Sequence, residues 1–83
     1  MTTLGERAKA TLQVRGWHKA GHAITGPDPV CLVEVLKLHA PGFGTNLADA
    51  LEDLGFASHT EAIEWNDAPE RTFEDVLERL ERI

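Results

Sequence analysis

Four times in this chain a short polar side chain stands three residues ahead of an acid: Thr3 before Glu6, Asn46 before Asp49, Ser58 before Glu61 and Thr72 before Asp75. At that spacing the first side chain accepts from backbone N–H groups that have no partner at a helix start, while the acid reaches back to the chain ahead of it. One such box arises readily by chance, whereas four in a short chain predict an all-α fold. The chain's 83 residues leave room for one small core. The expected architecture is therefore a single compact domain over residues 1–83, made of four or five short helices.

The apolar spacing agrees. Leu4, Ala8 and Leu12 stack along one side of a first helix over residues 4–15, with Gly16 placed to end it. Segment 30–38 reads VCLVEVLKL, a composition that would suit a buried strand. On a helix, however, Glu34 and Lys37 share one side, so this segment is expected to be the central helix, stopped by Pro41 and Gly42. Leu47, Ala50, Leu51 and Leu54 fall at i, i+3, i+4 and i+7 ahead of Gly55. A short helix over 59–65 should end in the Asn66-Asp67-Ala68-Pro69 turn. A last helix carries Phe73, Val76, Leu77 and Leu80, with Asp75–Arg79 and Glu78–Arg82 as i,i+4 pairs. Leu32, Val33, Leu36, Leu51, Trp65, Phe73, Val76, Leu77 and Leu80 are the expected core.

Between residues 16 and 29 the helical pattern fails. GWHKAGHAITGPDP holds three glycines, two prolines and two histidines, and reads as an irregular loop with a brief hairpin at 22–25 and Trp17 pinning it to the core. Long connectors in small domains are often functional, which draws attention to this one.

Several strings resemble a family of small uncharacterised proteins of actinobacteria and their phages. They are Arg15-Gly16-Trp17, Pro29-Val30-Cys31-Leu32, Trp65-Asn66-Asp67, Arg71-Thr72 and Asp75-Val76-Leu77. In that family small residues tend to follow the Cys-Leu pair, where Val33 and Glu34 stand here, so helix packing at that point is expected to differ. The resemblance carries no activity to transfer. It implies a fold and an accessory role in a phage or actinobacterial setting.

Charge divides unevenly along the chain. Before Gly42 five bases face three acids; from Gly42 onward eleven acids face Arg71, Arg79 and Arg82. Nucleic-acid binders concentrate lysine and arginine against phosphates, so an acidic half argues against nucleic acid and for a partner protein with a basic surface. The plainer use of those acids is solubility. The first ten residues lack the apolar run of a secretory signal, no stretch approaches a membrane span, and a lone cysteine, Cys31, forms no internal disulfide. A cytoplasmic protein without a membrane partner is the expectation.

The most distinctive string combines Trp65, Asn66, Asp67 and Arg71. An Asn-Asp turn beside an indole and a guanidinium offers directional donors and acceptors next to a flat apolar surface, so Asn66, Asp67 and Arg71 are the candidate protein-binding residues. Their structural alternative is a capped turn with Trp65 in the core. A second reading places a small ligand or metal in the 16–31 loop around Trp17, His18 and His22. Zinc would accept His18, His22, Cys31 and His39 by type, yet no second cysteine completes a common pattern, and no metal or cofactor is expected. Cys31 lies in the most apolar segment and is expected to be an inert thiol rather than a nucleophile. Gly42 to Thr45 lack the lysine of a phosphate loop. The reading that follows is a non-enzymatic protein that acts by binding another protein.

Overall fold

In the structure, a computed structural model that describes residues 2–19, 22–23 and 26–83, each of the four boxes opens a helix. Among the described residues the order is α1 (Leu4–Arg15), β1 (His18–Lys19), β2 (His22–Ala23), α2 (Leu32–His39), a 3-10 turn at Ala40–Phe43, α3 (Leu47–Asp53), α4 (His59–Asp67) and α5 (Phe73–Leu80). Thr3, Asn46, Ser58 and Thr72 accept from the backbone N–H of Glu6, Asp49, Glu61 and Asp75 at 3.1, 2.8, 3.2 and 3.1 Å. At Thr72 the box is reciprocal, because Asp75 accepts from the Thr72 N–H at 3.0 Å. The fold is all-α apart from one short ribbon.

The central helix starts two residues later than its composition suggests. Val30 is held in a parallel bridge with Trp17: its N–H donates to Gly16 at 3.0 Å, and the His18 N–H donates to the Val30 carbonyl at 3.3 Å. That extended backbone leaves Cys31 as the residue before α2. Its sulfur accepts from the Glu34 N–H at 3.4 Å while the Glu34 carboxylate accepts from the Cys31 N–H at 3.2 Å, a fifth box with a thiol in the place of a hydroxyl.

Helix α2 packs against α1, α3 and α4, and α1 also packs on α5. Leu4, Ala8 and Leu12 supply the α1 stripe, meeting Leu32, Val35 and Leu36 of α2, Leu51 and Leu54, and Val76 and Leu80. Val33, Trp65, Phe73 and Leu77 sit at the edge of this core, only partly buried, and Leu38 is exposed. The close seat of α1 on the end of α5 depends on Gly5, where a Cβ would lie 2.0 Å from the Leu80 carbonyl oxygen.

Neither expected pairing of the last helix, Asp75–Arg79 or Glu78–Arg82, forms among the described residues. Leu54 closes α3, where the final carbonyls lack helical partners and carry the negative end of the helix dipole. Arg79 and Arg82 both donate to the Leu54 carbonyl, at 2.7 and 3.3 Å. Arg79 is thereby drawn over the rings of Phe56 and Trp65, 4.9 and 4.8 Å from their centroids. Asp75 pairs with Arg71 instead, at 3.8 Å.

The 16–29 loop is tied at many points. Its ribbon pairs His18 with Ala23 and Lys19 with His22 in antiparallel register. The strands thus lie earlier than the 22–25 expected, and residues 24–25 fall outside the described residues. Arg15 binds Asp28 through both its carboxylate and its carbonyl, each at 3.0 Å. Gly26, at φ +82°, sits so close to Arg15 that a Cβ would lie 1.9 Å from its carbonyl oxygen. No helix among the described residues is long and apolar enough to cross a membrane.

Candidate functional site

Trp17 is 1% exposed. Its ring stacks on Phe73 with centroids 6.0 Å apart and planes 13° from parallel, and the Lys19 ammonium lies 5.4 Å from its centroid. The indole N–H donates to the side-chain oxygen of Asn66 at 2.7 Å. The tryptophan pins the loop, as its size suggests, and its burial withdraws it from the small-ligand surface proposed around it.

Asn66 is the larger correction. Helix α4 continues through Asp67 rather than ending at Trp65, so Asn66 points inward from its last turn and is 1% exposed. Its side-chain oxygen accepts from both the Trp17 indole and the Leu32 N–H, the latter at 3.2 Å. Its amide donates to the His18 carbonyl at 3.1 Å and to the Asp67 carboxylate at 3.0 Å. One amide thus satisfies the loop, the first turn of α2 and its own helix, as a buried polar group must. A partner protein cannot touch it directly.

The turn after α4 runs Ala68 to Arg71, closed by the Arg71 N–H donating to Ala68 at 2.9 Å. Lys19 reaches it from the ribbon and donates to the Ala68 carbonyl at 2.8 Å. Arg71 lies over the Trp65 ring, 4.0 Å from its centroid, and its Nε donates to the Trp65 carbonyl at 2.8 Å. This guanidinium clasps the end of α4, so an Arg71→Ala variant loses internal contacts as well as charge. With Trp65, Asp75, Glu78, Arg79 and Arg82 it lines an open cleft of about 470 Å³. Burial, reinforced by Arg82 and Arg71, pulls the Arg79 value down.

A third corner was not foreseen as a unit. His18, Cys31 and Glu34 place one ligand-type atom each within 4.8 Å of one another. His18 Nε2 and Glu34 Oε1 are 2.6 Å apart, and His18 Nδ1 is buried with no hydrogen-bond partner among the described residues. Burial pushes the Cys31 thiol up to about 11, with the Glu34 carboxylate adding to the rise and backbone N–H groups of Glu34 and Val33 opposing it. The rise favours the protonated thiol at neutral pH and so withholds the thiolate that a nucleophile needs. For Glu34, desolvation works upward but is outweighed by hydrogen bonds from Cys31 and His18, and its carboxyl sits below the usual value. The side chain of His22 lies outside the described residues.

His39 stands apart from that corner. Its Nε2 is 2.6 Å from the Thr11 hydroxyl of α1, and burial, with the Arg7 charge behind it, lowers its value. A histidine that resists protonation when folded leaves the unfolded chain to take the proton first. Its contribution to stability is full above the unfolded value of about 6.5 and declines as pH falls through it, until the folded value is passed. Thermal midpoints followed from about pH 7.5 to 5.5 should fall less for His39→Gln than for the wild type, and equal slopes would refute this role.

No curated protein and no solved structure matches this chain. What does match bears on kinship alone: a family model described as a family of unknown function (DUF6197) covers residues 2–83, from the first helix cap through the tied loop and the Asn66 hub to the last residue, and the chain belongs to that family.

Proposed function

We propose that this protein is a non-enzymatic accessory protein that docks its acidic α3–α4 face on a cationic surface of another protein, in the cytoplasm of an actinobacterium or during infection by one of its phages. One observation carries the reading. Asp49, Glu52, Asp53, Glu61 and Glu64 are all exposed, and among the described residues none of them takes part in an ion pair. The arginines of this half are engaged elsewhere, Arg79 and the exposed Arg82 on the Leu54 carbonyl and Arg71 on Trp65 and Asp75. The negative face is left uncompensated because the positive charges of this half serve as internal clasps.

The same face offers an apolar footing. A cleft of about 550 Å³ lies between α3 and the start of α4, lined by Leu51, Glu52, Phe56 and His59 among others, and Ile63, one turn beyond His59, is 44% exposed. Asp67 extends the acids of α4 one turn past Glu64, and Arg71 follows at the edge, so both belong to the proposed surface while Asn66 supports it from within. Duplex nucleic acid and anionic membranes are poor partners for such a face.

Affinity capture from the native cytoplasm, run side by side with the wild type and with a Glu52→Lys/Asp53→Lys variant, tests this. The wild type should recover one stoichiometric protein, with capture slowed by salt because complementary charge acts mainly on encounter. The double variant, whose two substituted positions are both exposed, should recover at least tenfold less. Equal recovery by both proteins removes the acidic face from the proposal.

A further inference from the structure

We infer that His18, Cys31 and Glu34 form a binding site for a thiophilic divalent cation of the zinc class, with one coordination position left to water or an outside ligand. The three side chains come from separate pieces of backbone, and each is aimed by a feature already described. The parallel bridge of Trp17 with Val30 places residue 18 beside residue 31. The reciprocal box turns Cys31 Sγ and Glu34 Oε1 toward the same end of α2. His18 closes the third side, its Nε2 lying 2.6 Å from Glu34 Oε1.

Ligand type and spacing both suit zinc. A thiol, an imidazole and a carboxylate are the three side-chain classes zinc takes, whereas calcium and magnesium prefer all-oxygen sets. With metal–ligand bonds of about 2.0 to 2.3 Å, tetrahedral ligands stand roughly 3.5 Å from one another. The three atoms here already lie within 4.8 Å. Side-chain rotation closes the remaining gap, and the hydrogen bond between His18 and Glu34 opens to admit the ion. On binding, the S–H bond of Cys31 breaks, its proton passes to solvent and a metal–sulfur bond forms; the imidazole proton is carried on Nδ1, freeing the Nε2 lone pair. Tight sites give that second nitrogen an acceptor. Nδ1 of His18 is buried without one among the described residues, so the affinity expected is micromolar rather than picomolar.

The probe is Co²⁺ followed by Zn²⁺, added to the full chain under reducing conditions. The wild type should bind one equivalent of Co²⁺ with a thiolate-to-cobalt absorption band, Zn²⁺ should bleach the band, and micromolar Zn²⁺ should raise the thermal midpoint. Cys31→Ser keeps a helix-capping hydroxyl and so keeps the fold, but removes the soft ligand. It should lose the band and bind Zn²⁺ at least tenfold more weakly, with no zinc-dependent rise in midpoint. His18→Gln, which keeps a polar side chain at that position, should also bind at least tenfold more weakly. A wild type whose midpoint zinc leaves unmoved, or zinc binding of equal strength in the wild type and Cys31→Ser, overturns the site.

Discussion

Asn66→Ala should cost about 2 to 5 kcal/mol of unfolding free energy, since it strips the acceptor from two buried donors and each such orphan costs about 1 to 3 kcal/mol. The donors are the Trp17 indole N–H and the Leu32 N–H, both enclosed. A domain of 83 residues holds on the order of 4 to 12 kcal/mol in total, so the variant stands near the edge of folding. Chemical denaturation of Asn66→Ala, Trp17→Phe and the double variant separates the bond from the packing. Because Trp17→Phe removes the donor in advance, the double variant should lose less than the two singles together, by about 1 to 2 kcal/mol. Strict additivity would show that the indole bond contributes nothing.

Gly5→Ala should also destabilise, against the usual sign of a glycine-to-alanine change within a helix. Alanine is favoured there by about 1 kcal/mol on propensity alone. Here the new methyl carbon would fall 2.0 Å from the Leu80 oxygen and 2.7 Å from the Ile83 carbonyl carbon, both backbone atoms that no rotamer can move aside. Overpacking of this kind costs about 1 to 3 kcal/mol and more where backbone must shift, so a net loss of about 2 kcal/mol is expected, roughly 10 °C in thermal midpoint. Gly42→Ala is the control, because nothing lies within 4 Å of its added carbon. A midpoint for Gly5→Ala equal to that of Gly42→Ala would mean that α1 and α5 separate without loss.

The helix starts were legible because a capping box is complete within four residues. Thr3, Asn46, Ser58 and Thr72 need nothing from the rest of the chain to act as they do. Cys31 does the same work unseen, since sulfur is an uncommon cap and the apolar run around it masks the boundary. The side chains that organise the candidate sites were legible by type but not by role. Asn66 reads as a turn former next to Asp67 and Pro69, yet its partners Trp17 and Leu32 are 49 and 34 residues away. Glu34 reads as one exposed face of a helix with Lys37, and its contact with His18 depends on a bridge that no periodicity announces. Arg79 has the spacing for Asp75 but finds the open carbonyl of Leu54, a stronger claim on a guanidinium than an exposed carboxylate offers. Gly5 carries no local signal either, because the reason for a missing methyl lies in the far end of the chain.

The reach of Asn66 also sets the order in which this chain can complete itself. During synthesis the ribbon and the first turn of α2 leave the ribosome long before residue 66, and until it arrives the Trp17 and Leu32 donors have only water to bind. Closure of the 16–29 loop without residue 66 would leave those donors in an apolar setting without that acceptor, at a cost of about 1 to 3 kcal/mol each. The last third of the chain thus supplies the acceptor that two buried donors of the first half need.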